Sequence, residues 1–135
     1  MNHRLGKINH IGIAVANLDE AKKLFCDTLG FACTGEKTAP ERGVNIAFLD
    51  TGNTTIELLE GIGEASTVSK FVRERGAGIH HVCFEVEGIQ RVMAELAAAG
   101  TRLIDDKPRA GAEGKPVAFI HPKSTMGVLI ELIEK

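Results

Sequence analysis

The chain contains no tryptophan and no tyrosine, and it has only six phenylalanines. This composition argues against a protein that sequesters drug-like ligands between stacked rings. A net charge of −2 gives no electrostatic reason to expect nucleic acid as a partner. No apolar run approaches the ~20 residues that a membrane-spanning helix needs, so a membrane is not expected as a partner either.

Cysteine is also scarce, with three residues at Cys26, Cys33 and Cys83. The number is odd and the spacing is not that of a metal site, which is typical of a protein in the reducing cytoplasm. Neither a signal-peptide pattern nor a low-complexity segment is evident, which agrees with a cytoplasmic location. A length of 135 residues fits a single domain with a substantial core.

The most informative feature that is present is an internal repeat. The triplet Ile-Asn-His at residues 8–10 matches Ile-His-His at 79–81, and Ala-Phe-Leu at 47–49 matches Ala-Phe-Ile at 118–120, both at an offset of 71 residues. Glu57 and Glu131 both lie in Ile-Glu-Leu, at an offset of 74. The repeat predicts one domain over 1–135, with module one at about 5–61, a linker helix at 62–77 and module two at about 78–135.

Hydrophobic periodicity and turn residues predict the elements of each module. We expect a helix capped by Asp19 and ending near Leu29, a helix from Thr67 to Arg75 that is capped by Ser66 and ended by Gly76, and a helix from Ile89 to Ala99. The predicted strands are 8–15, 31–34, 44–49, the strand around Glu57, 79–86, 101–104, 117–120 and 128–133. The segments 37–43 and 108–114 are predicted to be loops.

Four polar side chains lie in otherwise apolar strands. Alternation places His10 and His81 on equivalent strand faces, opposite the face that packs against helices. A buried unpaired carboxylate such as Glu57 or Glu131 is costly unless a cation or metal accompanies it. Taken singly, such a histidine is more often a core residue, and such a glutamate can be a protective charge on an edge strand. The repeat favours convergence of all four residues on one divalent ion.

Two open modules of this kind must cover each other's apolar faces. The sequence therefore predicts an α+β fold of two βαβββ modules in pseudo-twofold relation, with a curled mixed sheet around a metal cleft and helices outside. Near the loops of module two lie the cations Lys107, Arg109, Lys115 and Lys123. A solvated face is favoured for them over a site that attracts an anionic ligand.

Four stretches give the sequence a recognisable family character: Ile8–Ala21, Ile56–Glu60, Gly78–Val86 and His121–Glu134. With them the chain resembles the vicinal oxygen chelate (glyoxalase/bleomycin resistance/dioxygenase) superfamily, and within it the methylmalonyl-CoA epimerases. The resemblance implies the glyoxalase-like fold, a homodimer and an acyl-CoA substrate. It also implies one divalent metal per chain, Co²⁺ or Zn²⁺ before Ni²⁺, Mn²⁺ or Fe²⁺, with His10, Glu57, His81 and Glu131 as ligands.

The implied activity is an epimerisation of methylmalonyl-CoA between its 2R and 2S forms. The α-proton would be transferred through a metal-stabilised enolate, with Glu131 and Glu57 as base and acid. Some family members carry a further glutamate where this chain has Ile46. Here Glu57 can fill that role by its symmetry with Glu131, with Glu41 or a bound water as the next candidates. The alternatives are a glyoxalase I-type lactoylglutathione lyase, a ring-cleaving dioxygenase and a non-enzymatic ligand-sequestering protein of the same fold.

Overall fold

The computed structural model describes residues 4–135, which form two compact units. The first unit contains residues 10–80, and the second contains residues 81–135 together with residues 4–9. Within the described part of the chain, no helix is long and apolar enough to cross a membrane. Each unit combines a mixed four-stranded sheet with helices, which confirms the predicted α+β class and the βαβββ repeat.

The first unit has its strands in the order β2-β3-β4-β1. β1 pairs with β4 in parallel, and the other neighbours are antiparallel. The elements are β1 (Ile8–Val15), α1 (Leu18–Lys22), which continues as a π-helix (Lys23–Thr28), β2 (Ala32–Ala39), a 3₁₀-helix (Pro40–Arg42), β3 (Val44–Asp50), β4 (Thr55–Gly61) and α2 (Thr67–Arg75).

The second unit repeats this order and these directions as β6-β7-β8-β5. β5 and β8 are parallel, and β7 is antiparallel to both β8 and β6. The elements are β5 (Gly78–Val86), α3 (Ile89–Ala98), β6 (Arg109–Ala110), β7 (Pro116–Ile120), a 3₁₀-helix (Pro122–Ser124) and β8 (Ile130–Glu134).

In each unit a hydrophobic core lies between the helix and one face of the sheet. In the first unit, Leu18 and Ala21 of α1 pack with Leu49 and Leu58 of the sheet. In the second unit, Val92 of α3 belongs to a cluster of buried residues that also contains Val86, Ile89, Met93, Ala118, Ile120 and Leu132. Because side chains alternate along a strand, this burial leaves Glu57, next to Leu58, on the opposite face.

Four predicted elements differ from the structure. Asn17, and not Asp19, caps α1, because its side chain accepts the N–H of Glu20 while Asp19 already lies in the first turn. The predicted strand at 101–104 is only an isolated bridge between Leu103 and Ile120. The predicted loops at 37–43 and 108–114 are partly strand, since β2 continues to Ala39 and β6 spans Arg109–Ala110.

Candidate functional site

The first unit brings His10 and Glu57 together. His10 lies near the start of β1, and Glu57 lies on the parallel neighbour β4, where it is paired in register with Gly12. The Nδ1 atom of His10 is 3.4 Å from Oε2 of Glu57, and both side chains are buried. Alternation along β1 puts His10 on the same face as Gly12.

The second unit brings His81 and Glu131 together in the equivalent way. Glu131 of β8 is paired in register with Cys83 of β5, two residues after His81. The Nε2 atom of His81 is 3.1 Å from Oε1 of Glu131, and both residues are again buried. The two units thus contain one buried His–Glu pair each, at repeat-equivalent positions.

The chemistry of these four side chains fits a divalent metal. Imidazole nitrogen and carboxylate oxygen are ligands of borderline ions such as Zn²⁺ and Co²⁺. His10, His81 and Glu131 each offer such a ligand atom and are buried, as is Glu57. A buried carboxylate next to a buried imidazole is an arrangement in which a cation removes the desolvation cost.

Two other positions, Ile46 and His121, lie outside this set of four. Ile46 is buried and apolar, and the amide of the adjacent Asn45 donates to Glu60 over 3.1 Å, so neither provides a base. His121 precedes a 3₁₀-helix and accepts the N–H of Lys123 at 3.1 Å, as expected for a residue that closes a turn.

Sequence reasoning missed the role of two other glutamates. Glu60 accepts the backbone N–H of Leu18 at 2.9 Å, and Glu134 accepts those of Gly88 and Ile89 at 2.8 and 2.9 Å. Each therefore holds the start of the helix of its own unit. The bonds from Ile89 and Gly88 lower the pKa of Glu134 below its ordinary value. The signal was present in the repeat, because Glu60 and Glu134 share the 74-residue offset of Glu57 and Glu131.

Comparisons with known proteins agree with this architecture. A family model described as the Glyoxalase/Bleomycin resistance protein/Dioxygenase superfamily matches residues 9–119. The mitochondrial methylmalonyl-CoA epimerase of Dictyostelium discoideum is 42% identical over 132 residues, which are 97% of this chain and 80% of that protein. The ethylmalonyl-CoA/methylmalonyl-CoA epimerase of Cereibacter sphaeroides is 42% identical over 130 residues, 95% of this chain and 97% of that protein.

A solved structure is similar over nearly the whole chain. It is a variant of the Streptomyces coelicolor methylmalonyl-CoA epimerase in complex with 2-nitronate-propionyl-CoA. Its sequence is 35% identical, its TM-score is 0.88, and the match covers 97% of this chain and 98% of that one. Together with the glyoxalase-like α+β fold and its two His–Glu pairs, these matches show that the chain belongs to the glyoxalase/bleomycin resistance protein/dioxygenase superfamily.

Proposed function

We propose that this protein is an isomerase that interconverts the 2R and 2S epimers of methylmalonyl-CoA by transfer of the α-proton. The observation that carries this proposal is the buried His–Glu pair found at the same repeat position in each unit. The relatives named methylmalonyl-CoA epimerase support the substrate and the reaction. A structure of one such epimerase was solved with 2-nitronate-propionyl-CoA. A nitronate is planar at the carbon that corresponds to the substrate's α-carbon, as a deprotonated thioester would be.

We further propose that His10, Glu57, His81 and Glu131 hold one divalent metal ion per chain, with Co²⁺ or Zn²⁺ as the first candidates. When bound, such an ion supplies Lewis-acid stabilisation of negative charge on the thioester oxygen. The protein's part is to present two imidazoles and two carboxylates from strands whose register is fixed by backbone pairing. Burial of these four side chains lowers the local dielectric, which strengthens the electrostatic interactions among them.

The two glutamates are the proposed proton carriers. Epimerisation requires one group to remove the α-proton and a second group to return a proton to the other face of the planar carbon. Glu131 and Glu57 suit these roles because each is a buried carboxylate next to an imidazole, and each comes from a different unit of the repeat. The absence of an acidic residue at position 46 favours Glu57 for the second role.

Proton exchange at the α-carbon tests the activity directly. Metal-reconstituted protein should incorporate solvent deuterium into methylmalonyl-CoA, as measured by mass spectrometry, and should convert the 2R into the 2S epimer. The adduct of methylglyoxal and glutathione, assayed in parallel, should remain unchanged. Turnover of the glutathione adduct without exchange in the acyl-CoA would instead identify a glyoxalase I-type lyase.

Metal content tests the ligand assignment. Elemental analysis should find one divalent ion per chain in the wild-type protein and a large deficit in the His10→Ala and His81→Ala variants. The matched control is His121→Ala, which removes an imidazole that closes a turn. Full retention of metal by both folded ligand variants would contradict the assignment.

A homodimer and a cytoplasmic location are further proposals, which rest on the family resemblance and on the cysteine composition, respectively. Light scattering coupled to gel filtration measures the oligomeric state, and a mass equal to one chain would contradict the dimer. Fractionation of source cells, followed by immunodetection, measures the location.

A further inference from the structure

Phe119 of β7 adjoins both members of the His–Glu pair of the second unit. Its ring meets the imidazole of His81 in a T-shaped contact, with centroids 6.0 Å apart. Its backbone is paired in register with Glu131 of β8, so the two side chains are cross-strand neighbours. Phe119 itself is buried. The orientation of the His81 ring therefore depends on where Phe119 packs.

Asp105 and Arg109 hold Phe119 from the other side. The guanidinium carbon of Arg109 lies 5.2 Å from the centroid of the Phe119 ring. The Nε atom of Arg109 is 3.2 Å from Oδ1 of Asp105, and Oδ2 of Asp105 accepts the backbone N–H of Phe119 at 2.8 Å. Asp105 thus fixes both the cation on the ring and the backbone that carries the ring.

We propose that Asp105, Arg109 and Phe119 form a clamp that positions His81 and Glu131 for metal binding. All three are positioning residues, and Arg109 acts through the Phe119 ring. The inference rests on the proposed function, because it takes His81 and Glu131 as metal ligands. Residues that contact a metal ligand without binding the metal themselves fix the orientation of that ligand. Their loss typically weakens metal binding by ~10- to 100-fold.

A weaker interpretation is an ordinary surface ion pair between Arg109 and Asp105, which are four residues apart. Two observations favour the clamp. The Asp105 side chain is only 12% exposed. Its second oxygen accepts a hydrogen bond from the Phe119 backbone, which a surface pair would not require.

A third interpretation is direct contact between Arg109 and an anionic group of the substrate, because Arg109 also lines an open groove of about 650 Å³ with Lys107.

The experiment compares Arg109→Ala, Phe119→Leu and the double variant, with Arg91→Ala as the matched control. Arg91 is an equally exposed arginine that pairs with Glu95 of the same helix. Zn²⁺ affinity is measured by chelator competition in the absence of substrate. Arg109→Ala should weaken it roughly two- to fivefold, the equivalent of one exposed cation–π contact. Phe119→Leu should weaken it by ~10-fold or more.

Coupling and spectroscopy separate the clamp from the alternatives. If Arg109 acts through the ring, Arg109→Ala should have no further effect in the Phe119→Leu background. The Co²⁺-loaded protein should show a changed visible spectrum in both single variants and in Asp105→Asn, but not in Arg91→Ala. In the metal-free protein, the ring resonances of His81 should shift in the same variants.

Equal effects of Arg109→Ala in the wild-type and Phe119→Leu backgrounds would overturn the proposal. So would unchanged His81 resonances, or an effect on KM for the acyl-CoA alone. If the wild-type protein binds no divalent metal, the proposed metal site has failed. The His81 resonances of the metal-free variants then decide the clamp by themselves. If Arg109→Ala does not fold, Asp105→Asn takes its place in the experiment, because the asparagine side chain still offers an acceptor for the Phe119 N–H.

Discussion

In the first unit the edge strand β2 has eight residues and pairs with β3 from Ala32 to Ala39, with one register shift between Cys33 and Gly35. The edge strand β6 of the second unit has only two residues. The difference centres on two repeat-equivalent phenylalanines. Phe48 of β3 is paired with Gly35 of β2. The backbone N–H of Phe119 bonds instead to the side chain of Asp105. Pro108, just before β6, also lacks the N–H that a longer ladder would use.

The central strands of the two units show no such divergence. Glu57 faces Gly12 and Phe48 on its two neighbouring strands, and Glu131 faces Cys83 and Phe119. A slip of one residue would turn either glutamate toward the helix-facing core, where its burial would be uncompensated. Strand register is therefore kept where a buried polar pair depends on it, whereas the edge strands of the two units differ in length.

The sharpest test of this equivalence is the loss of each carboxylate. Glu131→Gln and Glu57→Gln should each lower epimerase turnover by ~10²- to 10⁴-fold, because a general acid or base is removed. If each glutamate serves one face, the two variants should impair deuterium exchange of opposite epimers preferentially. Chiral analysis of the exchanged product measures this.

The matched controls are Glu60→Gln and Glu134→Gln, which alter carboxylates on the same two strands that bond to helix N-termini. Both should retain activity. Glu57→Gln with full metal content and wild-type turnover in both directions would show that Glu57 is a ligand only, and that the two units differ in catalysis.

The next effect concerns the two cores. Leu58 and Leu132 occupy repeat-equivalent positions, and both are completely buried against the helix of their unit. Leu58→Ala and Leu132→Ala should each lower the free energy of unfolding by ~2–5 kcal/mol, as measured by urea denaturation. A loss below about 1 kcal/mol in one variant would mean that its core closes over the cavity and that the two cores are not equivalent.

The smallest effect concerns the start of α3. Glu134→Gln keeps an acceptor for Gly88 and Ile89 but removes the charge, so stability near neutral pH should fall by about 0.3–1 kcal/mol. The pKa of Glu134 is lowered in the folded state, so the wild-type advantage is present above its ordinary value. The advantage is lost as the pH falls through the lowered value.

Urea denaturation of both proteins at neutral pH and at about pH 3 measures this difference. The gap in unfolding free energy between wild type and variant should shrink in acid. A gap that stays constant or grows in acid would contradict the role of the Glu134 charge.

Much of the fold could be predicted because its signals are local or repeated. The helix from Thr67 to Arg75, with Ser66 as its cap and Gly76 at its end, was predicted correctly, since capping residues act within one turn. The α1 cap was assigned to Asp19 instead of Asn17 because both residues are good caps. Their order relative to the first turn is decided by packing, in part by the bond from Leu18 to Glu60.

The candidate site divides in the same way. Sequence alone predicted His10, Glu57, His81 and Glu131 as candidates, because strand alternation and the repeat are properties of residue order. Asp105 and Arg109 gave no such signal, and Arg109 was interpreted as part of a solvated face. Their importance lies in contacts with Phe119, which no local pattern encodes.

Residue order by itself therefore determined the two βαβββ repeats and the strand face on which each histidine and each glutamate lies. The tertiary structure decided what depends on residues that are distant in the chain. The Glu60 side chain accepts a hydrogen bond from Leu18, which lies 42 residues earlier in the chain. The Asp105 side chain accepts the backbone N–H of Phe119, which lies 14 residues later, in place of a neighbouring strand. A side-chain hydrogen bond of this kind forms only after folding has brought its two groups within about 3 Å, so short-range sequence patterns carry no record of it.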